Sequence, residues 1–310
     1  ARTARVIVRW GLRELEDVLS GRRAFLLATE RWDAPVRVAG RWSELPTDAA
    51  IDVGDAEVLL AIGGGSTIDT AKRVSAETGL PLVSVPTTYS GSEWPTYFGV
   101  RDAQRRMRGG GGGAHNEAIV YDVDLTLGMP TDVTGGTAMN ALAHCCEALY
   151  VKGRDPTADP LALEGADEIS DALPRVLADL GARDSREALL RGAAKAGEAL
   201  GRSGLALAHA MAQGIGGRYG LPHGALNAIC LPAGLRFNAE FVPAALLGGR
   251  AAERAEKLAR LAGFTTLGAL GVPEDDLPEL AGAIAQRPGA LVNPRPATPA
   301  DVLELLSSVF

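Results

Sequence analysis

The stretch VLLAIGGGSTIDTAK, residues 58–72, decides the fold because it joins a buried strand, a glycine turn and a helix in immediate succession. Residues 58–62 form a continuous apolar run, which is typical of a strand covered on both faces of a parallel sheet. Residues 63–65 are glycines, so the backbone can approach a ligand without a Cβ in the way. Ser66 and Thr67 follow at the expected start of the helix, where they could cap it or donate to a phosphate oxygen. The stretch therefore predicts one unit of an α/β sheet with a phosphate-binding turn at its carboxyl edge.

Short apolar runs on both sides extend this pattern over the first 130 residues. Further strands are predicted at residues 6–8, 25–28, 36–38, 82–86 and 118–121. Helical patterns replace them afterwards, at residues 138–151, 159–178, 186–201, 205–214, 221–237, 251–261 and 299–310. We therefore expect an α/β nucleotide-binding domain over residues 1–130, an all-helical domain over residues 131–310, and an active site in the cleft between them.

Composition and charge exclude several classes of protein. Of the 310 residues, 46% are hydrophobic and 22% are charged, which is ordinary for a globular protein. The net charge of −7 and the lack of a basic stripe argue against nucleic acid as a partner. No apolar run reaches the roughly 18 residues of a membrane span, and no signal-type apolar region follows the basic Ala1–Arg5. The three cysteines suggest no disulfide framework, so we expect a reduced, cytoplasmic protein.

Small hydroxyl residues follow the next predicted strand, in PTTYSGSE at residues 86–93. Ligands bind beyond the carboxyl ends of the strands of an open α/β sheet, so Thr87, Thr88 and Ser92 are candidate ligand contacts. The alternative is a helix start capped by Thr88 or Ser92. The glycine turn at residues 63–65 is neither a G-x-G-x-x-G motif nor a P-loop, and alone it could be purely structural. Two such loops on neighbouring strands favour a dinucleotide site.

Three of the four histidines lie in helical segments that also carry polar residues. Asn140 and His144 are four residues apart, which places them on one helix face. His209 lies in HAMAQ at residues 209–213, and His223 lies in PHG at residues 222–224. Imidazoles and a side-chain oxygen can hold a divalent metal, but they can equally form a metal-free polar pocket. A single histidine among alanines would more often be a core residue with its hydrogen bonds satisfied.

A run of five glycines, residues 109–113, follows the basic stretch at residues 105–108. Glycine runs of this kind are typical of flexible loops, and we expect a flexible hairpin tip or loop here.

Four motifs in this order resemble those of the iron-containing alcohol dehydrogenase superfamily, which also contains glycerol dehydrogenase and dehydroquinate synthase. They are GGGST at 63–67, PTTYSGSE at 86–93, NALAHCCEALY at 140–150 and LPHG at 221–224. Within the superfamily the chain is most similar to the maleylacetate reductases, on residues 87–93, 139–150 and NPRP at 293–296. The resemblance covers nearly the whole chain. It implies the dehydroquinate synthase-like architecture, a homodimer, and a role in the degradation of aromatic compounds.

The resemblance also implies roles for the polar residues of the helical half. In metal-bearing members an Asp and three His bind Fe²⁺ or Zn²⁺, and the three His match His144, His209 and His223. The Asp position is occupied by Asn140, as in maleylacetate reductases. Loss of the one anionic ligand leads us to expect weak or absent metal binding, although these four residues would be the ligands. Gln213 replaces a histidine that the family places near the substrate, so the resemblance supports no proton relay there.

For the cofactor, NADH or NADPH, the resemblance implies two groups of contacts. Pyrophosphate contacts would come from Gly63, Gly64, Gly65, Ser66 and Thr67, and nicotinamide contacts from Thr87, Thr88 and Ser92. Glu30 follows the strand at 25–28, where family members often hold an Asp against the adenine ribose. A carboxylate there favours NAD over NADP because it repels a 2′-phosphate, whereas the neighbouring Arg31 works against this preference.

The sequence therefore predicts an NAD(P)H-dependent reductase of a maleylacetate-like small oxo-dicarboxylate, with hydride delivered to an enone or keto carbon. His144, His209, His223 and Asn140 are the candidate catalytic residues, which would stabilise an enolate or supply a proton. The following residues could clamp substrate carboxylates or simply be solvated surface: Arg101, Arg106, Lys152 and Arg236.

Three alternatives stay open. The first is a metal-dependent alcohol dehydrogenase of the same superfamily. The second is a non-redox lyase or cyclase recruited from this fold, because fold does not fix function. The third is a cofactor-binding protein without catalysis. The unusual loop at residues 105–116 is a reason to expect that the substrate differs from that of the relatives.

Overall fold

A computed structural model describes residues 6–310, so the basic segment Ala1–Arg5 lies outside the described residues. The chain divides into two compact units. The first contains the described residues up to Thr88 together with Ser92–Gly128. The second contains Met129–Phe310 together with Tyr89–Gly91, a short part of the hydroxyl-rich motif.

The first unit is built on a parallel sheet. Its strands are β1 (Ile7–Trp10), β2 (Ala24–Leu27), β3 (Gly40–Trp42), β4 (Val58–Gly63), β5 (Pro81–Pro86), β6 (Phe98–Arg101), β7 (Met107–Gly111) and β8 (His115–Tyr121), and its helices are α1 (Leu15–Leu19) and α2 (Gly65–Thr78). Six strands form the sheet in the order β1-β8-β5-β4-β2-β3, and every neighbouring pair is parallel. The carboxyl ends of β2, β4 and β5 therefore lie side by side at one edge.

The strand predicted at residues 36–38 is wrong, because the pairing segment is β3, Gly40–Trp42. Val36 and Val38 pack against the core without pairing, so their apolar pattern reflects packing alone. In the pairing register Gly40 lies opposite Phe25, and a Cβ at Gly40 would lie 2.8 Å from the Phe25 ring. Only a glycine lets the strand come this close.

The glycine run at residues 109–113 is not a flexible tip, which corrects a second prediction. Its first part belongs to β7, which pairs antiparallel with β6 in a separate two-stranded sheet. The turn lies before it, where the buried Asp102 carboxylate accepts from Arg106 N (2.8 Å) and Arg108 Nε (2.8 Å). A Cβ at Gly110 would lie 2.9 Å from the carbonyl oxygen of Phe98. Gly110 and Gly111 therefore allow β7 to pack closely against Phe98.

The described residues of the second unit form helices and no strands. The helices are α3 (Thr131–Ala148), α4 (Asp159–Ala178), α5 (Arg183–Ser203), α6 (Leu207–Tyr219), α7 (His223–Phe237), α8 (Ala251–Leu261), α9 (Leu277–Ala285), α10 (Pro288–Leu291) and α11 (Pro299–Ser308). The predicted fold class, an α/β region followed by a helical region, is confirmed. In the part of the chain that the structure describes, every helix is too short or too polar to cross a membrane.

Helix α3 lies at the centre of the second unit and is buried along most of its length, against α4, α5 and α7. It meets α7 at a pair of glycines, since a Cβ at Gly224 would lie 2.5 Å from the carbonyl carbon of Gly136. This close crossing brings the polar face of α3 next to the start of α7, where the candidate site is found.

Candidate active site

The glycine turn after β4 leads directly into α2. The helix begins at Gly65, its N-cap is Gly64, and no side chain caps it. The expected capping by Ser66 or Thr67 is therefore wrong, because both residues lie inside the first turn. A Cβ at Gly63 would lie 2.6 Å from Thr67 Oγ1, so the glycine makes room for that side chain. A helix start without a side-chain cap leaves backbone N–H groups for an anion.

Thr87 and Thr88 lie beside this turn. Thr87 N donates to the carbonyl oxygen of Gly63 at 3.0 Å, which joins the two loops. A Cβ at Gly64 would lie 3.1 Å from Thr88 Cγ2. The hydroxyl of Thr88 is buried and has no hydrogen-bond partner among the described residues. The alternative of a capped helix start is wrong here, because no helix follows Thr88 or Ser92 in this segment.

These features fit a dinucleotide. An uncapped helix start, a glycine turn and a buried hydroxyl without a partner lie together at the carboxyl edge of β4 and β5. Glu30 is exposed three residues beyond β2, the strand next to β4, and Ser92 is half-buried. The roles of the individual cofactor residues stay predictions.

Helices α3, α6 and α7 bring three histidines together. The rings of His144 and His209 are stacked with centroids 4.8 Å apart, and those of His209 and His223 are 5.7 Å apart. His144 and His209 are 4% and 1% exposed, and Asn140 lies with them at 4%. We call Asn140, His144, His209 and His223 the histidine pocket.

Glu147, which the sequence analysis did not single out, holds one side of this pocket. Its carboxylate is fully buried and accepts from the backbone N–H groups of Ala206 (2.9 Å), Ala208 (2.7 Å) and His209 (3.3 Å). It also accepts from His209 Nδ1 at 2.6 Å. A carboxylate at the uncapped start of α6 is favourable for the helix and fixes the His209 ring. The signal in the sequence is its spacing of three residues from His144, on the same helix face.

Asn227 on α7 is the second residue that the sequence analysis missed. Its Nδ2 donates to Asn140 Oδ1 at 2.6 Å and lies 3.0 Å from His223 Nε2. Asn140 Nδ2 in turn donates to the carbonyl oxygen of Ser90 at 3.0 Å, and its Oδ1 lies 3.3 Å from His209 Nε2. The i, i+4 spacing of His223 and Asn227 was the available signal.

His144 is held as a neutral imidazole. Burial lowers the pKa of His144 well below its usual range, and the nearby His209 and His223 lower it further. Its Nδ1 is buried without a hydrogen-bond partner among the described residues. Gly91 allows its own loop to lie close to His144, since the φ of Gly91 is +73° and a Cβ there would lie 3.2 Å from His144 Nδ1. A neutral imidazole can accept a proton or donate one to a substrate oxygen.

The donor atoms of the pocket do not fit a divalent cation in this arrangement. Among residues 6–310, no group of three His, Cys, Asp or Glu side chains could hold a metal ion. Asn140 Oδ1 and His223 Nε2 both face the N–H groups of Asn227, which repel a cation. The carboxylate of Glu147 is directed to backbone N–H groups and to His209 Nδ1. The geometry describes a polar pocket, and the metal content of the protein stays a prediction.

The cationic residues proposed as carboxylate clamps mostly have partners already. Arg106 pairs with Asp102, and Arg236 pairs with Glu256. Arg101 donates to the carbonyl oxygen of Arg105, and Lys152 is exposed. Gln213 is half-buried on α6. None of these observations assigns a substrate contact.

Comparison with known proteins identifies the family. The Fe-containing alcohol dehydrogenase family model, C-terminal, matches residues 134–310, and an iron-containing alcohol dehydrogenase model matches residues 33–92. Maleylacetate reductase 1 of Rhodococcus opacus is 34% identical over 270 residues, which cover 84% of this chain and 75% of the relative. A maleylacetate reductase of a Rhizobium species is 34% identical over 283 residues, or 89% and 79% of the two chains.

Solved structures agree with the sequence relatives. A maleylacetate reductase from Agrobacterium tumefaciens superposes with a TM-score of 0.88 at 30% identity, covering 99% of this chain and 96% of that one. An iron-containing alcohol dehydrogenase from Corynebacterium glutamicum gives a TM-score of 0.90 at 28% identity, covering 99% and 95%. The predicted resemblance is confirmed, and the chain belongs to the iron-containing alcohol dehydrogenase family.

Proposed function

We propose that this oxidoreductase uses NADH or NADPH to reduce maleylacetate or a closely similar small oxo-dicarboxylate. The observation that carries the proposal is the histidine pocket, which offers imidazole groups while the neighbouring carboxylate of Glu147 is directed to other donors. A dianionic substrate is repelled by a carboxylate and favoured by hydrogen-bond donors. The similarity to maleylacetate reductases over most of the chain supports the same substrate class.

The cofactor contacts belong to the first unit. Gly63–Thr67 would bind the pyrophosphate through backbone N–H groups, and Thr87, Thr88 and Ser92 would line the nicotinamide. Glu30 would favour NADH through the adenine ribose. A reduced nicotinamide, when bound, supplies the hydride of the reaction.

The second unit supplies the groups that handle negative charge and the proton. Hydride addition to an enone leaves negative charge on the conjugated oxygen, and one proton completes the reduction. Imidazole N–H groups of the histidine pocket would stabilise that oxygen, and one of them would deliver the proton. Glu147 holds His209 with its Nδ1–H toward the carboxylate, which leaves Nε2 facing Asn140.

The test is the loss of NADH or NADPH absorbance on addition of maleylacetate, for the wild type and for His209→Phe. We expect kcat to fall about 10²-fold or more in the variant, the size typical of a lost acid–base group. His115→Phe is the matched control, because His115 is exposed at the start of β8 and lies outside the pocket. Equal rates for all three proteins would remove His209 from the mechanism. No turnover by the wild type, with cofactor binding intact, would point to another substrate or a non-redox reaction.

A further inference from the structure

The orientations of the Asn140 and Asn227 side-chain amides are each fixed by the group that they contact. The carbonyl oxygen of Ser90 can only accept, so the group of Asn140 that faces it is Nδ2. Asn140 Oδ1 must then accept, so Asn227 presents its Nδ2 at 2.6 Å. That same nitrogen lies 3.0 Å from His223 Nε2, which therefore accepts the second N–H of the amide. His223 is thereby assigned the tautomer with its proton on Nδ1.

We propose that the Asn227 side-chain amide takes the position between Asn140 Oδ1 and His223 Nε2 that a cation bound to both would need, and that it is a positioning residue for Asn140 and His223. One nitrogen with two N–H groups joins an amide oxygen to an imidazole nitrogen, as a metal ion joins its ligands. This proposal deepens the proposed function. Its expected effect on kcat rests on that function, whereas the expected tautomer and zinc content do not.

A purely structural asparagine would be expected to satisfy both ends of its amide. Asn238 and Asn293 do so elsewhere in the second unit, where each donates to the other, at 3.0 and 2.8 Å, in a fully buried pair. Asn227 is equally buried, yet its Oδ1 has no hydrogen-bond partner among the described residues. Its donors, in contrast, both face atoms of the histidine pocket. An unsatisfied buried oxygen is unfavourable, so its retention points to a role for the nitrogen.

The nature of the side chain at position 227 should then decide what the pocket can bind. A carboxylate there has no N–H to donate, and it adds an anionic oxygen next to Asn140 Oδ1 and His223 Nε2. An amide oxygen, imidazole nitrogens and a carboxylate make a donor set that suits Zn²⁺. Asn227→Asp is therefore expected to turn the pocket into a metal site.

The experiment compares wild type, Asn227→Ala, Asn227→Asp and Asn238→Ala as full chains. Asn238→Ala is the matched control, because it removes an equally buried amide from the opposite end of the same helix, where the amide contacts Asn293 and no histidine. Histidine tautomers are read from ¹⁵N–¹H NMR spectra, bound zinc from elemental analysis after dialysis against Zn²⁺, and folding from the thermal transition. Kinetics with maleylacetate give kcat and KM.

We expect the His223 tautomer to be lost in Asn227→Ala and kept in Asn238→Ala, with kcat falling about 10–100-fold in the former only. Asn227→Asp should retain stoichiometric zinc that the wild type does not retain. The inference fails if Asn227→Ala folds and keeps the wild-type tautomer, or if wild type retains zinc as well as Asn227→Asp does. The spectra and the zinc content need no substrate, so they decide the matter even if maleylacetate is not reduced.

Discussion

Among the buried carboxylates of the described residues, Glu147 in the helical unit and Glu93 in the α/β unit have contrasting surroundings. Glu147 accepts from three backbone N–H groups and from His209, so each of its oxygens has an assigned donor. Glu93 accepts from the Tyr121 hydroxyl at 2.7 Å, while its other oxygen has no partner among the described residues. Glu147 therefore uses both oxygens as acceptors, whereas burial at Glu93 disfavours the charged form of its carboxyl group.

Glu147→Gln is expected to destabilise the protein by about 1–3 kcal/mol, because the amide nitrogen cannot accept from the N–H groups that the carboxylate oxygen served. Chemical denaturation measures the change. Glu164→Gln is the control, since that exposed residue pairs only with Lys195, and a change within about 0.5 kcal/mol is expected. Equal small effects for both variants would mean that the Glu147 network does not stabilise the fold.

Glu93→Gln tests the second carboxylate through pH. Burial raises the pKa of Glu93, so its carboxyl group stays protonated to a higher pH in the folded protein than in the unfolded chain. The pKa of a glutamate in an unfolded chain is about 4.3. The stabilisation is complete below that value and is lost as pH rises through the folded-state pKa. We therefore expect the melting temperature of Glu93→Gln to increase relative to that of the wild type as pH rises. A difference that shrinks with rising pH would show that Glu93 is stabilised as an anion.

Single residues show what spacing on a helix can predict, while the catalytic role of the residues brought together stays a prediction. The four predicted catalytic residues were named from spacing and resemblance, and the structure places them in one pocket. Glu147 and Asn227 were missed because each contacts the pocket through residues distant in sequence, Ala206–His209 and Asn140. Spacing on a helix shows which side chains share a face, but it does not show what that face meets.

Elements were predicted best where the apolar period is strong, even though no side chain caps α4 or α8. The bounds of α4 and α8 follow the sequence pattern, and β4 is the strand that its apolar run indicates. The strand predicted at residues 36–38 is wrong because its valines pack against the core without pairing with a strand. The loop predicted at residues 109–113 is wrong because the first glycines of the run belong to β7, where Gly110 lies close to Phe98. Helices α9 and α10 were missed because they are short and carry a proline in their first turn.

The α3–α7 crossing is the element-scale contact on which the pocket depends. Gly224→Ala is expected to destabilise the protein by about 1–3 kcal/mol or more, because the added Cβ would meet backbone atoms of Gly136 that cannot move away. Gly217→Ala on α6 is the control, since nothing lies within 4 Å of a Cβ there. It should be neutral or stabilising by about 0.5–1 kcal/mol. If Gly224→Ala unfolds at the same denaturant concentration as wild type, the crossing is more adaptable than the distances imply.

At the scale of the whole molecule, a chain of net charge −7 needs local donors to bind an anionic substrate. The two units offer different kinds of donor: a helix start and hydroxyl groups in the first, and imidazole groups in the second. The homodimer stays a prediction, and light scattering would test it against the chain mass of 32.2 kDa.

We propose that this chain reduces a maleylacetate-like substrate at the histidine pocket without a metal ion. The most direct measurement is NADH and NADPH oxidation with maleylacetate after exhaustive chelation, with iron and zinc quantified in the same sample. We predict that turnover persists in protein free of both metals and that adding either metal does not raise the rate. Activity that disappears on chelation and returns with Fe²⁺ or Zn²⁺ would contradict the claim and assign the chain to the metal-dependent alcohol dehydrogenases.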